Sequence, residues 1–131
     1  MLKRILLYFL FISSFVNAQS VTSSIDSTQI KIGSQFNLTI KAKVSKTDKV
    51  VFPEGKFLGS LEVLESYPID SIKSNDKLEL IKKYGLTQFD LGKYVLPKLA
   101  VVINNKTFRT DSFSVVVNDV VVDTIKQQMF D

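Results

Sequence analysis

Carboxylates are the first side chains to consider for chemistry, because the chain contains neither histidine nor cysteine. Those two residue types supply the commonest metal ligands, nucleophile activators and general bases near neutral pH. Carboxylate catalysis is formally open, but the acids are scattered. Glu62 and Glu65 stand three apart in an expected strand, where alternation puts them on opposite faces. A calcium site needs oxygen ligands clustered on one loop, and no Asp-rich signature of that kind is present. The five glycines, at 33, 55, 59, 85 and 92, fall at separate turns or strand ends, so no phosphate-cradling loop exists. The expectation is a protein with no catalytic residue, no metal and no cofactor.

The elements that would position these side chains read as strands. Phe36, Leu38, Ile40, Ala42 and Val44 alternate with Asn37, Thr39, Lys41 and Lys43, one face for a core and one for water. Leu78, Leu80, Lys82, Tyr84 and Leu86 repeat the pattern after the turn pair Asn75-Asp76. A third run goes from Tyr94 to Ile103. Its phase slips at Pro97, which implies a bulge or an edge position. Asn104-Asn105 is a two-residue hairpin signal, and the chain returns through Phe108 to Val117. Shorter candidates are Val21 to Ile25 and Gln29 to Ile32, broken at Asp26-Ser27, then Lys49 to Phe52 and Leu61 to Tyr67. About seven strands separated by turns indicate an all-β sandwich.

Asp90-Leu91-Gly92-Lys93-Tyr94 precedes the penultimate strand. Immunoglobulin-like sandwiches place a tyrosine there, whose hydroxyl bonds to upstream backbone and pins the corner between sheets. Asp90 can bond forward to backbone N–H groups, and Gly92 can take a positive φ. Asp90, Gly92 and Tyr94 are therefore read as a structural corner. Leu96 holds the position that is a cysteine in antibody domains.

Residues 1–18 are set apart. Lys3 and Arg4 precede the apolar run Ile5 to Ile12, and Val16-Asn17-Ala18 offers small residues for cleavage between Ala18 and Gln19. This is the pattern of a cleavable signal peptide, and its core is short for a membrane span. Residues 19–119 form the expected domain. Residues 120–131, with Val120-Val121-Val122 and Phe130, read as a linker or the start of a missing C-terminal region. The chain carries 17 Lys and Arg against 13 Asp and Glu; without Lys3 and Arg4 the balance is 15 to 13. No basic block remains, so no nucleic-acid footprint is expected. Lys82 and Lys83 read as a solvated face or as strand-edge protection. Asp26-Ser27-Thr28, Asp70-Ser71-Ile72 and Asp123-Thr124-Ile125 are similar to the O-glycosylation sequon of exported Bacteroidetes proteins, although Asp-Ser is also ordinary turn chemistry.

Three segments carry a resemblance. They are Ile30-Lys31-Ile32-Gly33-Ser34-Gln35-Phe36-Asn37-Leu38-Thr39, then Leu86-Thr87-Gln88-Phe89-Asp90-Leu91-Gly92-Lys93-Tyr94-Val95-Leu96-Pro97, then Lys106-Thr107-Phe108-Arg109-Thr110-Asp111-Ser112. In order and spacing the run from Ile30 to Val117 resembles the N-terminal domain of BatD-family proteins in their Bacteroidetes form. The resemblance implies an exported, periplasmic or cell-envelope protein, inner-membrane-anchored through a C-terminal helix beyond this chain. It implies partnership with von Willebrand A-domain Bat-type membrane proteins, and indirectly with a MoxR-type ATPase, in operons linked to oxygen tolerance. The expected role is a non-catalytic protein-interaction or scaffold module. Val50 and Phe52, with Phe57 and Leu58 of an expected loop, are the candidate interaction surface, since apolar residues there would mark a patch. The alternative is an adhesin-like or carbohydrate-binding surface domain, with Tyr67 and Tyr84 as its stacking residues.

Overall fold

Alternating apolar residues pair into two layers across residues 20–119, the part of the chain that the computed structural model describes. The strands are β1 (Ser20–Ile25), β2 (Gln29–Lys31), β3 (Phe36–Ser45), β4 (Val50–Val51), β5 (Phe57–Leu58) and β6 (Leu61–Ser66). They continue as β7 (Asp70–Ser74), β8 (Lys77–Thr87), β9 (Gly92–Leu96), β10 (Ala100–Ile103), β11 (Lys106–Arg109) and β12 (Phe113–Asn118). The expected leader, its cleavage point at Ala18 and Gln19, and residues 120–131 lie outside the described residues.

The first sheet runs β1-β3-β8-β6-β5, with β7 pairing β8 beyond β6. Its long antiparallel pair is β3 with β8, in register from Phe36↔Leu86 to Ser45↔Lys77. Opposite residues share a face, so Phe36, Leu38, Ile40, Ala42 and Val44 lie beside Leu86, Tyr84, Lys82, Leu80 and Leu78. The second layer holds β11-β10-β4 and β2-β12-β9. One core joins both layers: Leu38, Ile40, Tyr84 and Leu86 from the first meet Leu96, Val101, Ile103, Val115 and Val117 from the second. The described chain is thus an all-β, sandwich-like arrangement, with layers joined without a disulfide, as no cysteine is available.

Among the described residues twelve strands replace the expected seven or so, because kinks split the ribbons. At Pro97 the structure corrects one of the two alternatives. Leu96 pairs Phe113 and Ala100 pairs Arg109, with three residues between on each strand. No residue is inserted, so this is a matched kink and not a bulge. Leu99 and Thr110 seal it: Thr110 N–H donates to Leu99 O at 2.9 Å, and Leu99 N–H donates to Thr110 Oγ1 at 2.8 Å. Both residues are buried, and these bonds pair both backbone groups of Leu99 and the Thr110 N–H away from water.

A genuine bulge lies elsewhere and overturns the reading of the two glutamates. Register shifts between Val63 and Glu65, so Glu62 pairs Thr87 while Glu65 pairs Gly85. The extra residue, Leu64, reverses the alternation, and both glutamates stand on one face. Between β6 and β7 a second irregularity places Tyr67, Pro68 and Ile69 opposite Lys82 and Lys83. Proline offers no N–H to a ladder, which explains the interruption at that point.

The broken first strand changes sheets. β1 pairs β3 antiparallel, whereas β2 pairs β12 parallel. Asp26 fastens the crossing: its carboxylate accepts from Asn37 N–H at 2.8 Å and from Asn37 Nδ2 at 3.1 Å. Asn104 and Asn105 both take positive φ, 51° and 68°, as a tight hairpin with the twist of its strands requires.

Candidate interaction surfaces

The corner before β9 is built from backbone acceptors. Tyr94 Oη lies 3.1 Å from Asp90 O and 3.2 Å from Leu91 O, so its one proton is shared between two carbonyls. Gly92 has φ of 139°, and the tyrosine ring folds back over it; a Cβ there would meet Tyr94 Oη at 3.6 Å. Asp90 contributes its main-chain carbonyl to this arrangement. The turn's amides go to Gln88, whose Oε1 accepts from Phe89 N–H at 2.9 Å and from Asp90 N–H at 3.2 Å. Gln88 Nε2 also donates to Ser60 O at 2.7 Å, which ties the corner to the β5–β6 turn. Sequence reasoning passed over Gln88, because a glutamine after a strand carries no signal of its own. Replacing Tyr94 with phenylalanine is expected to cost about 0.5–1.5 kcal/mol, the net worth of one such hydrogen bond. Urea unfolding of the two proteins measures it, and equal midpoints would contradict a stabilising corner.

The four residues expected to form one apolar surface are divided by the fold. Phe57 is 59% exposed, on the side of the first sheet that Glu62 shares. Leu58, next along, is only 4% exposed, because alternation turns it into the core. Phe52 follows β4 inward and is 6% exposed, while its neighbour Val51 points out. Val50 is half-buried beside Ile103. Phe52 and Leu58 are therefore core residues and cannot present a docking surface.

Tyr84 is likewise removed as a stacking platform. It is buried, and its hydroxyl donates to Pro53 O at 2.7 Å, a bond that crosses from β8 to the chain leaving β4. Burial, assisted by the negative charge of Glu54, holds its phenol well above the ordinary tyrosine range. Tyr67 is half-buried and its hydroxyl accepts from Gln35 Nε2 at 3.4 Å.

Lys82 departs from the reading of a solvated lysine. Its register partner is the buried Ile40, so its stem lies on the core face of β8. The ammonium donates to Ser66 Oγ at 2.8 Å and to Tyr67 O, and it stands 5.3 Å from the centre of the Tyr84 ring. It thereby fills the break in the ladder at Pro68. A groove of about 250 Å³ lies alongside, lined by Val50 to Glu54, Ser66, Ile69 and Lys82. Among the described residues no group of three or more acids could hold a metal ion.

Comparison with known protein families, with curated proteins and with solved structures gave no match for this chain.

Proposed function

We propose that this domain is an extracytoplasmic interaction module, the immunoglobulin-like N-terminal domain of a BatD-like envelope protein. The observation that carries the fold part of this reading is the strand connectivity. The first sheet takes strands in the order β1-β3-β8-β6. The second layer sets β4 beside β10, pairs β9 and β10 with β12 and β11, and adds β2 parallel to β12. A first strand that changes sheets, and a tyrosine corner at the start of the penultimate ribbon, belong to the immunoglobulin-like plan. Fold alone does not assign a role; the resemblance from Ile30 to Val117 supplies it. In this reading the domain contributes no catalysis, and the protein assembles with von Willebrand A-domain membrane proteins and, through them, a MoxR-type ATPase. Its place is the periplasm, tethered to the inner membrane by a helix outside this chain, and the phenotype it serves is oxygen tolerance.

The carbohydrate-binding alternative is the weaker one. Sugar platforms need exposed aromatic faces, and Tyr84 is in the core. The test is affinity purification of the tagged protein from detergent-solubilised membranes of its own host. A von Willebrand A-domain protein enriched about tenfold or more over an untagged control, roughly 1.4 kcal/mol of preference, is the expected result. Recovery of no such protein would overturn the proposed partnership.

A further inference from the structure

The two outer faces of the sandwich differ in their balance of charge. On the first sheet both signs are interleaved. Lys43 stands opposite Glu79, and Asp70 stands opposite Ile81, whose other neighbour is Lys41. On the second layer the strands turn a different set of residues outward. Leu96, Val101, Ile103, Val115 and Val117 are buried, so alternation directs Val95, Val102 and Val116 away from the core. Val51 joins them, since it pairs with Val102. Val51 and Val95 are 53% and 57% exposed.

Positive charge is in excess on this face, although Asp111 stands across the kink from Lys98 and Glu54 shares a groove with Val51. Lys93 pairs Val116 and Arg109 pairs Ala100. Lys98 projects from the kink beside the buried Leu99. Within β2, β4 and the two kinked ribbons from Gly92 to Asn118, Asp111 is the one carboxylate. A valine stripe edged by three cations is complementary to an apolar patch edged by carboxylates.

We infer that the outer face of β4, β9–β10 and β11–β12 docks a protein surface of that composition, an apolar centre ringed by Asp and Glu. The inference rests on the reading of the domain as an interaction module and adds which surface acts and what it accepts. Two other partners fit less well. Nucleic acid without sequence preference is held by stacking on aromatic side chains, and the uncharged outward residues of these ribbons are valine, alanine, threonine and serine. Lipid surfaces take up protruding apolar side chains, whereas these valines lie level within a sheet.

Photo-crosslinking in the native host tests it. A photoreactive residue replaces Val51 or Val95 in the full chain, and Lys41 or Phe57 in controls on the first sheet. Protein adducts are expected from the two valine positions, at about tenfold the control yield, with the captured peptides rich in Asp and Glu. The combined change Lys93→Glu, Lys98→Glu and Arg109→Glu is expected to lower the yield about tenfold. Should melting show that this variant is unfolded, Lys98→Glu alone, on an exposed side chain, replaces it and should reduce the yield severalfold. Adducts confined to Lys41 or Phe57 overturn the choice of face while leaving the interaction module standing. Adducts to lipid, to a second copy, or to a basic peptide overturn the stated partner. No protein adduct from any of the four positions overturns the inference and the module reading together.

Discussion

Substituting Gly59 with valine is expected to destabilise the domain by about 2–5 kcal/mol, from left-handed backbone strain plus overpacking. Gly59 has φ of +65°, a region that β-branched residues avoid. A Cβ at this position would stand 2.6 Å from Pro97 Cδ and 3.5 Å from Val95 O. The ring is fixed and the carbonyl is backbone, so neither can turn aside. The turn between β5 and β6 therefore lies directly against the kink of the second layer, and its glycine sets the distance. Gly85 provides the contrast. Its added Cβ would meet Gln35 Nε2 at 2.4 Å, but that is the end of a flexible side chain, and the backbone there has no positive φ. Gly85→Ala is expected to cost under about 1 kcal/mol, as Gln35 swings out to water. Urea midpoints for both variants decide the matter. A double-mutant cycle sharpens it: Pro97→Ala should recover part of the Gly59→Val loss, giving a coupling of about 0.5–3 kcal/mol. Additive effects would mean that Gly59 does not rest on Pro97.

That contact was not legible in the sequence, and the reason is physical. Period-two patterning reports which face of a strand is buried, but it carries no information on which distant turn lies against it. The long runs were therefore clear. Phe36 to Val44 stands in the core as alternation demands, because β3 is paired on both sides and one register suits its apolar set. Short elements escaped. β7 has no buried residue, so nothing in Asp70–Ser74 distinguishes it from a loop. β5 is silent in the sequence because two residues cannot show a period. The glutamate pair failed through one inserted residue, Leu64, invisible until the ladder is drawn. The surface prediction failed in a similar manner. Phe52 ends a short run at Pro53 and Leu58 stands before Gly59, and only their direction, set by their neighbours in the ladder, puts them inside. At the corner, spacing located Gly92 and Tyr94, whereas the work of Gln88 depends on a turn conformation that spacing cannot specify.

The phenol of Tyr84 supports the second large effect. Removing the whole side chain with Tyr84→Ala is expected to cost about 3–5 kcal/mol, as for other large aromatic truncations in cores. Tyr84→Phe isolates the hydroxyl. It keeps the ring among its neighbours but leaves Pro53 O without its donor, for a loss of about 1–3 kcal/mol. This bond spans the two layers, from β8 to the segment after β4, so no water-exposed alternative forms without separating them. The same burial gives a pH signature. Folding raises the phenol above its usual range, through desolvation first and the Glu54 charge second. The unfolded chain releases that proton near pH 10, while the folded one retains it. Stability from this group is therefore complete below about pH 10 and falls as pH rises beyond it, at up to about 1.4 kcal/mol per unit. The phenylalanine variant lacks this term. The stability gap between wild type and Tyr84→Phe should thus be widest near neutrality and narrow by about 1 kcal/mol at pH 11. Urea unfolding at both pH values provides the comparison. A gap that stays constant would mean that the phenol ionises as freely in the fold as outside it, and that the bond to Pro53 is open to solvent.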